Sequence, residues 1–258
     1  MISPFVHIHP DARLGKDITI GPFVTIDKNT VIGDGCKIGS NVTILDGARI
    51  GNNVTIFPGA VISAIPQDLK FRGEDTTAEI GDNTVIRECV TVNRGTAAKG
   101  KTTVGKNCLI MAYCHVAHDC IVHDNVIMSN AVQLAGEVEV DDYAIIGGGT
   151  LVHQFCHLGA HIMIQGGALI NKDVPPFVKG AREPLCYNGV NSIGLRRRGF
   201  DNDKIREIQD VYRYLYLSGM NVSDAVRAIR EKVPQTSERD EILNFVENSI
   251  RGIIKGYV

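Results

Sequence analysis

Six of the eight histidines crowd into two stretches, His115, His118 and His123, then His153, His157 and His161, while His7 and His9 stand apart near the start of the chain. Imidazole is the side chain whose ordinary pKa lies closest to neutrality, so such crowding points to proton transfer or metal ligation. Metal ligation normally takes at least three well-placed ligands. The seven cysteines do not help to supply them, because no Cys-x-x-Cys pair occurs. A surface or satisfied role is the plain alternative for most of these histidines. His118 stands out through its spacing: His118, Gly136 and Gln154 recur at intervals of eighteen residues.

That interval has meaning because of the elements beneath it. From Ile8 to Ile170 an aliphatic residue returns at every sixth position, in phase from Ile8 to Ile62, again at Ile80, Ile86 and Val92, and then from Val104 to Ile170. Helices need a period near 3.6 and half-buried strands a period of 2, so a sustained period of six predicts a hexapeptide solenoid, one flat strand and one tight corner per hexad. Three hexads close a triangular coil, and roughly nine to ten coils follow. Gly and Asn positions are expected to take the positive φ of the corners. Residues eighteen apart then stack, which places Gly136 over His118. Cys36, Cys108, Cys114, Cys120 and Cys156 all hold the fifth, inward slot and read as small core residues. Cys89 and Cys186 fall outside it.

Two segments interrupt the hexads without losing phase, Ala64 to Glu79 and Asn93 to Thr103. Insertions in a solenoid loop out on one face, where binding residues gather. After Pro175-Pro176 the period becomes helical. Asp201 is expected to cap a helix carrying Ile205, Ile208, Val211, Tyr212 and Leu215, and Ser223 one carrying Ala225, Val226 and Ile229. A third, from about Ser237, carries Ile242, Phe245, Val246, Ile250 and Ile253. The expectation is a β-helix domain over 1–190 and a helical domain over 191–258. A formal charge of −2 offers no global attraction for nucleic acid. Without a signal peptide or an apolar stretch near the roughly 20 residues of a span, the chain is expected to be cytoplasmic, with no stable membrane insertion.

The run from Ala112 to Cys120, together with Gln67-Asp68-Leu69-Lys70, Val152-His153-Gln154-Phe155-Cys156 and Gly194 to Phe200, resembles the UDP-N-acetylglucosamine O-acyltransferases, hexapeptide-repeat enzymes of lipid A synthesis. The resemblance covers essentially the whole chain. It implies a left-handed parallel β-helix with a C-terminal helical domain, and a homotrimer with its sites between subunits. It also implies transfer of a 3-hydroxyacyl chain from acyl carrier protein, a co-substrate, to the sugar 3-hydroxyl of UDP-GlcNAc, with no cofactor. By the same resemblance His118 is the general base and Gly136 the oxyanion donor. Asp68 and Lys70 contact sugar or phosphate, His115 and His153 line the cleft, and Gln154 contacts the nucleotide. Asn191 and Arg198 hold uridine and phosphates, Arg197 with Arg196 meets the acidic carrier, and Gly166 ends the acyl groove.

Two positions depart from the pattern. Glu137 stands where a sugar-contacting histidine is usual, and Ile193 where a glutamate lies near the ribose. They keep a 3-amino acceptor, and so an N-acyltransferase, in contention. Hexapeptide carbonic anhydrases bind zinc through histidines spaced as His118 and His123 are, but the residue thirty-six before His118 is Asp82, and no metal is expected. A non-catalytic solenoid scaffold is the reading from a different class.

Overall fold

The computed structural model describes residues 1–256, so the last two positions of the expected helical domain lie outside the described residues. Among the described residues three sheets form the faces of a prism: parallel sheets of nine and of eight strands, and one of eleven that is parallel except for the antiparallel hairpin among its three late strands. Most strands are only two residues long, and outside the insertions they pair with the strand eighteen residues on, as in His115↔Gln133 and Val116↔Leu134; across the insertions the interval grows to 24 or 30 residues, as in Val85↔Leu109 and Val61↔Thr91. The fold is a left-handed β-helix with a C-terminal helical domain, like the structures it resembles below.

The six-residue metre is the core itself. Ile26, Ile44, Ile62, Ile86, Ile110, Val116, Met128, Leu134 and Ile146 are all fully buried. The five fifth-slot cysteines are buried beside them, and burial pushes the thiols of Cys108, Cys114 and Cys156 to about 11 and that of Cys120 to about 12. These are space-filling groups, with no thiolate at neutral pH. Cys89 is exposed and Cys186 half-buried.

The corners correct one expectation. Positive φ falls on the fourth hexad position, often Asn, as at Asn29, Asn41, Asn53, Asn83, Asn107 and Asn125. The glycines that follow a beat are needed for another reason. A Cβ at Gly33 would lie 2.6 Å from the carbonyl oxygen of Gly51 in the adjoining coil. Close stacking of successive coils, rather than left-handed backbone, requires glycine there.

Four helices follow: α1 (Ser192–Arg197), α2 (Asn202–Leu217), α3 (Val222–Lys232) and α4 (Ser237–Asn248). Asp201 caps α2 as expected, its carboxylate accepting from the amide of Lys204. Asn221, not Ser223, caps α3, because its side chain reaches the Asp224 amide. The short α1 has too few apolar positions for a period to register in the sequence. Ile250 and Ile253 do not belong to α4, and Ile250 is 91% exposed.

The hairpin of Val178–Ala181 and Cys186–Val190 extends the third sheet, and Lys255–Gly256 returns to pair with it. The end of the prism is thereby covered rather than left as an open edge. Asp173 fastens the return: its carboxylate accepts from the His157 amide at 2.8 Å and the Ser249 hydroxyl at 2.6 Å. If core packing follows the metre, Ile86→Ala should destabilise by about 2–5 kcal/mol. Ile250→Ala should stay within about 0.5 kcal/mol. Denaturation of both variants beside the parent checks the pair, and a large loss at Ile250 would contradict its exposure.

Candidate active site

His118 lies at the end of one sheet, one residue before the corner at Asp119, whose φ is 60°. Sequence reasoning placed His118 at an outward position. The structure buries it to 9% exposure, because the second inserted loop folds over this corner. The residue that the sequence reading missed is Asp119, fully buried, with Oδ2 2.8 Å from His118 Nδ1. A carboxylate directly after His118, at a corner position often held by Gly or Asn, was the available signal.

The loop supplies what keeps that carboxylate charged. Asp119 Oδ1 accepts from the amides of Thr96 at 2.9 Å and Lys99 at 3.2 Å, and Oδ2 accepts from the Thr96 hydroxyl at 2.6 Å. Its own amide donates to Thr102 Oγ1. Burial works against the charge, but the hydrogen bonds from Thr96, His118 and Lys99 prevail and hold the carboxyl below the usual carboxylate range. An ionised carboxylate only accepts, so Nδ1 of His118 carries a proton and Nε2 presents its lone pair.

Nε2 faces Gly136 in the stacked coil. A Cβ at Gly136 would lie 2.5 Å from Cε1 and 2.6 Å from Nε2 of His118, so the imidazole occupies the space that any side chain would take. The sequence reading had that space open for substrate, but the ring itself fills part of it. Gly136 N–H has no acceptor among the described residues, which leaves a donor beside the base. Gln154, next in the column, is half-buried.

His115 shares this face, half-buried, with Nδ1 2.7 Å from Thr91 Oγ1. Burial and the nearby His118 lower its pKa, favouring the neutral ring. His153 is exposed, its Nδ1 3.0 Å from the Gln154 carbonyl oxygen. Of the six clustered histidines His123 and His153 are exposed, and His115 and His157 are half-buried with hydrogen-bond partners, as a surface or satisfied role requires. His161 is stacked between Tyr143 at 4.9 Å and Phe177 at 5.6 Å, and burial and Arg198 push its pKa down to about 4.

The two insertions brace one another. Thr76 Oγ1 donates to the Gly95 carbonyl, Asn93 Nδ2 to that of Ile65, and the Arg94 guanidinium lies 5.4 Å from the Phe71 ring centre. Asp68 Oδ1 accepts from the Lys70 amide, and the Lys70 side chain is exposed.

The remaining expected site residues lie on other edges of the prism. His118, Gly136 and Gln154 each immediately precede the corner column Asp119, Glu137, Phe155. Arg198 joins a different column, Asn125, Tyr143, His161: its Nη2 donates to the Tyr143 carbonyl at 2.8 Å and its guanidinium lies 5.3 Å from that ring. Asn191 is buried on the same edge, its amide spent on capping α1 and on the His161 carbonyl. Arg196 and Arg197 are exposed on α1, and Arg196 Nε donates to Asn202. Gly166 borders the third column, Tyr113, Ala131, Gly149, Gly167. One chain does not bring these groups together. Nor do His118 and His123 converge: Asp119 holds the first and Glu139 the second.

A hexapeptide prism with a buried histidine–carboxylate pair facing a free backbone amide has the architecture and site of a hexapeptide-repeat acyltransferase. Comparison with known proteins narrows this. The family model "Udp N-acetylglucosamine O-acyltransferase; Domain 2" matches residues 173–254, and the bacterial transferase hexapeptide model matches 29–64 and 101–136. An acyl-[acyl-carrier-protein]–UDP-N-acetylglucosamine O-acyltransferase of Alkalilimnicola ehrlichii is 49% identical over 98% of this chain and 99% of its own length. The enzyme of the same name from Thiobacillus denitrificans is 46% identical over the same shares. The crystal structure of LpxA, a UDP-N-acetylglucosamine acyltransferase from Bacteroides fragilis, superimposes with a TM-score of 0.98 at 55% identity, covering 99% of this chain and all of that one. The chain belongs to the UDP-N-acetylglucosamine O-acyltransferase family.

Gly136→Ala should displace the imidazole and lower turnover by about 100-fold or more, since misplacement by about 1 Å has that cost. Steady-state kinetics on a variant with unchanged circular dichroism tests this; full activity would show that the ring tolerates the methyl group.

Proposed function

We propose that this enzyme moves a 3-hydroxyacyl chain from acyl carrier protein to the 3-hydroxyl of UDP-N-acetylglucosamine, with His118 as general base and Asp119 as the group that orients it. The observation that carries the assignment is the Asp119–His118–Gly136 arrangement: a base with its tautomer fixed, beside a backbone donor that lacks an acceptor.

The steps balance without further groups. His118 Nε2 takes the proton of the sugar hydroxyl as its oxygen attacks the thioester carbonyl carbon. The oxyanion that forms accepts from Gly136 N–H. Collapse breaks the C–S bond, and the departing thiolate takes the proton back from the imidazolium. Asp119 stabilises that imidazolium. No acyl-enzyme forms and no cofactor takes part. His115, neutral at physiological pH, and His153 with Gln154 line the acceptor's approach, while Asp68 and Lys70 on the first loop meet the sugar or its phosphates. The relatives bear O-acyltransferase names, which favours a hydroxyl acceptor over an amine and an enzyme over a scaffold.

The site is completed by neighbouring copies in a homotrimer. The support is the distribution of groups over three edges: the base on one, Arg198, Arg197 and Asn191 on a second, Gly166 on the third. In this reading Arg198 holds phosphate, Arg197 with Arg196 faces the acidic carrier, and Gly166 bounds the acyl groove. Among the described residues no helix is long and apolar enough to cross a membrane. The buried thiols suit a reducing cytoplasm.

His118→Ala should reduce turnover by about 100-fold or more, the usual range for losing a general base. Mixed trimers of His118→Ala with Arg198→Ala should regain activity that neither parent has, since some sites then draw both intact residues from different chains. No recovery in co-assembled trimers would place both residues in one chain's site. A Cβ at Gly166 meets only Gly148 atoms, at 3.1 and 3.7 Å, with open space beyond. A long donor, about fourteen carbons or more, is expected, since each buried methylene contributes about 0.8 kcal/mol. Gly166→Met should shift preference toward shorter chains in a competition between hydroxyacyl carriers; an unchanged preference would assign the groove's end to another residue.

A further inference from the structure

The face that follows the Asp119 corner carries a second group of converging side chains that the acyl-transfer reading leaves unused. His123, Glu139, Asp141 and His157 lie on successive coils of the eight-stranded sheet, where Ile121 pairs with Glu139 and Glu139 with His157. His123 Nε2 is 3.2 Å from Glu139 Oε1 and 3.9 Å from Asp141 Oδ1. His157 Nε2 lies 2.9 Å from both oxygens of Asp141. The ligand atoms of His123, Glu139 and Asp141 all fall within 4.8 Å of one another. Asp141 Oδ1 is thus a shared neighbour of both imidazoles. Among the described residues, neither Glu139 nor Asp141 forms an ion pair with lysine or arginine.

From this geometry we propose that His123, Glu139 and Asp141 form a structural site for a divalent transition-metal ion, zinc in the first instance, with His157 bracing Asp141 from the next coil. A tetrahedral zinc ion with bonds of about 2.0–2.2 Å holds its ligands about 3.3–3.6 Å apart; His123 Nε2 stands 3.2 and 3.9 Å from the two carboxylate oxygens, so small adjustments admit the ion and a water completes its shell. One imidazole and two carboxylates form a borderline nitrogen–oxygen set, which suits zinc, cobalt or nickel rather than calcium or magnesium. The ion takes the place of the proton that His123 now shares with Glu139.

Its place in the fold defines its effect. The ligands come from two successive coils, and His157 on the next coil, bonded to Asp141, packs its ring 4.5 Å from that of Phe245 on α4. An ion here ties the coils to one another and fixes the ring on which the helical domain rests. It touches neither His118 nor Gly136, so its contribution is to stability rather than to the chemical step.

The test uses the full-length protein, stripped with a chelator and dialysed. Isothermal titration with zinc chloride should give one ion per chain, with proton release detected in buffers of different ionisation enthalpy, and a higher Tm. His123→Gln and Asp141→Asn should each weaken binding by about tenfold or more, while His118→Ala should leave it intact. As a readout independent of variant folding, cobalt should give tetrahedral visible bands in the wild type, and anomalous diffraction at the zinc edge should place the ion between His123, Glu139 and Asp141. Absence of stoichiometric binding, uptake unaffected by the His123 and Asp141 substitutions, or an anomalous peak elsewhere would reduce the group to two histidine–carboxylate ion pairs and overturn the proposal.

Discussion

The stacking register of the coils governs everything else in this molecule. Outside the insertions each coil strand bonds to the strand eighteen residues away, and each hexad turns one aliphatic side chain inward. A shift by one residue would turn the aliphatic residues outward and the charged ones into the core, so the register is fixed by burial. Even the insertions respect it. The beat passes from Ile62 to Ile80 and from Val92 to Val104, intervals of eighteen and twelve residues instead of six, and pairing resumes in phase as Ala78↔Thr102 and Thr103↔Ile121.

This rigid ladder lets a small site be accurate. Stacking alone sets His118 against Gly136, and the glycine at that level is a condition for the ring's position. The carboxylate beneath the ring is a different kind of feature. Asp119 is entirely buried, and charge there persists because the loop at 94–100 aims two amides and a hydroxyl at it. The two loops lean on each other through Thr76, Asn93 and Arg94, so the loop that carries Asp68 and Lys70 and the loop that binds Asp119 form one unit.

A triangular prism also has a limitation as a catalyst. Its faces are flat and its corners point apart, so a chain of this shape alone offers no cleft that would surround a long acyl group. His118, the guanidinium of Arg198 and the open surface at Gly166 stand at three different corners, the distribution on which the proposed trimer rests. The helical domain serves that arrangement twice. It covers the open end of the sheets through Lys255–Gly256 and Asp173, and it carries Asn191, Arg197 and Arg198 to the edge beside Tyr143 and His161.

The period of six determined the fold class, the inward cysteines and the stacking of His118 with Gly136, because a repeat fixes position by counting alone. The cap at Asp201 and the apolar face of α2 were legible for a similar reason: they depend on neighbours in sequence. The tertiary structure decided the rest. It buried His118 and exposed the role of Asp119, since the donors that sustain that carboxylate come from a loop some twenty residues away whose path no local pattern encodes. It reassigned the beat-following glycines from turning to close packing, which depends on the coil above them. It also tied the Asn191 side chain to the backbone of His161 and set Ile250 in solvent, where periodicity had placed it in a helix. Contacts between residues distant in the chain are set by how elements meet, and a sequence read by spacing records only the elements.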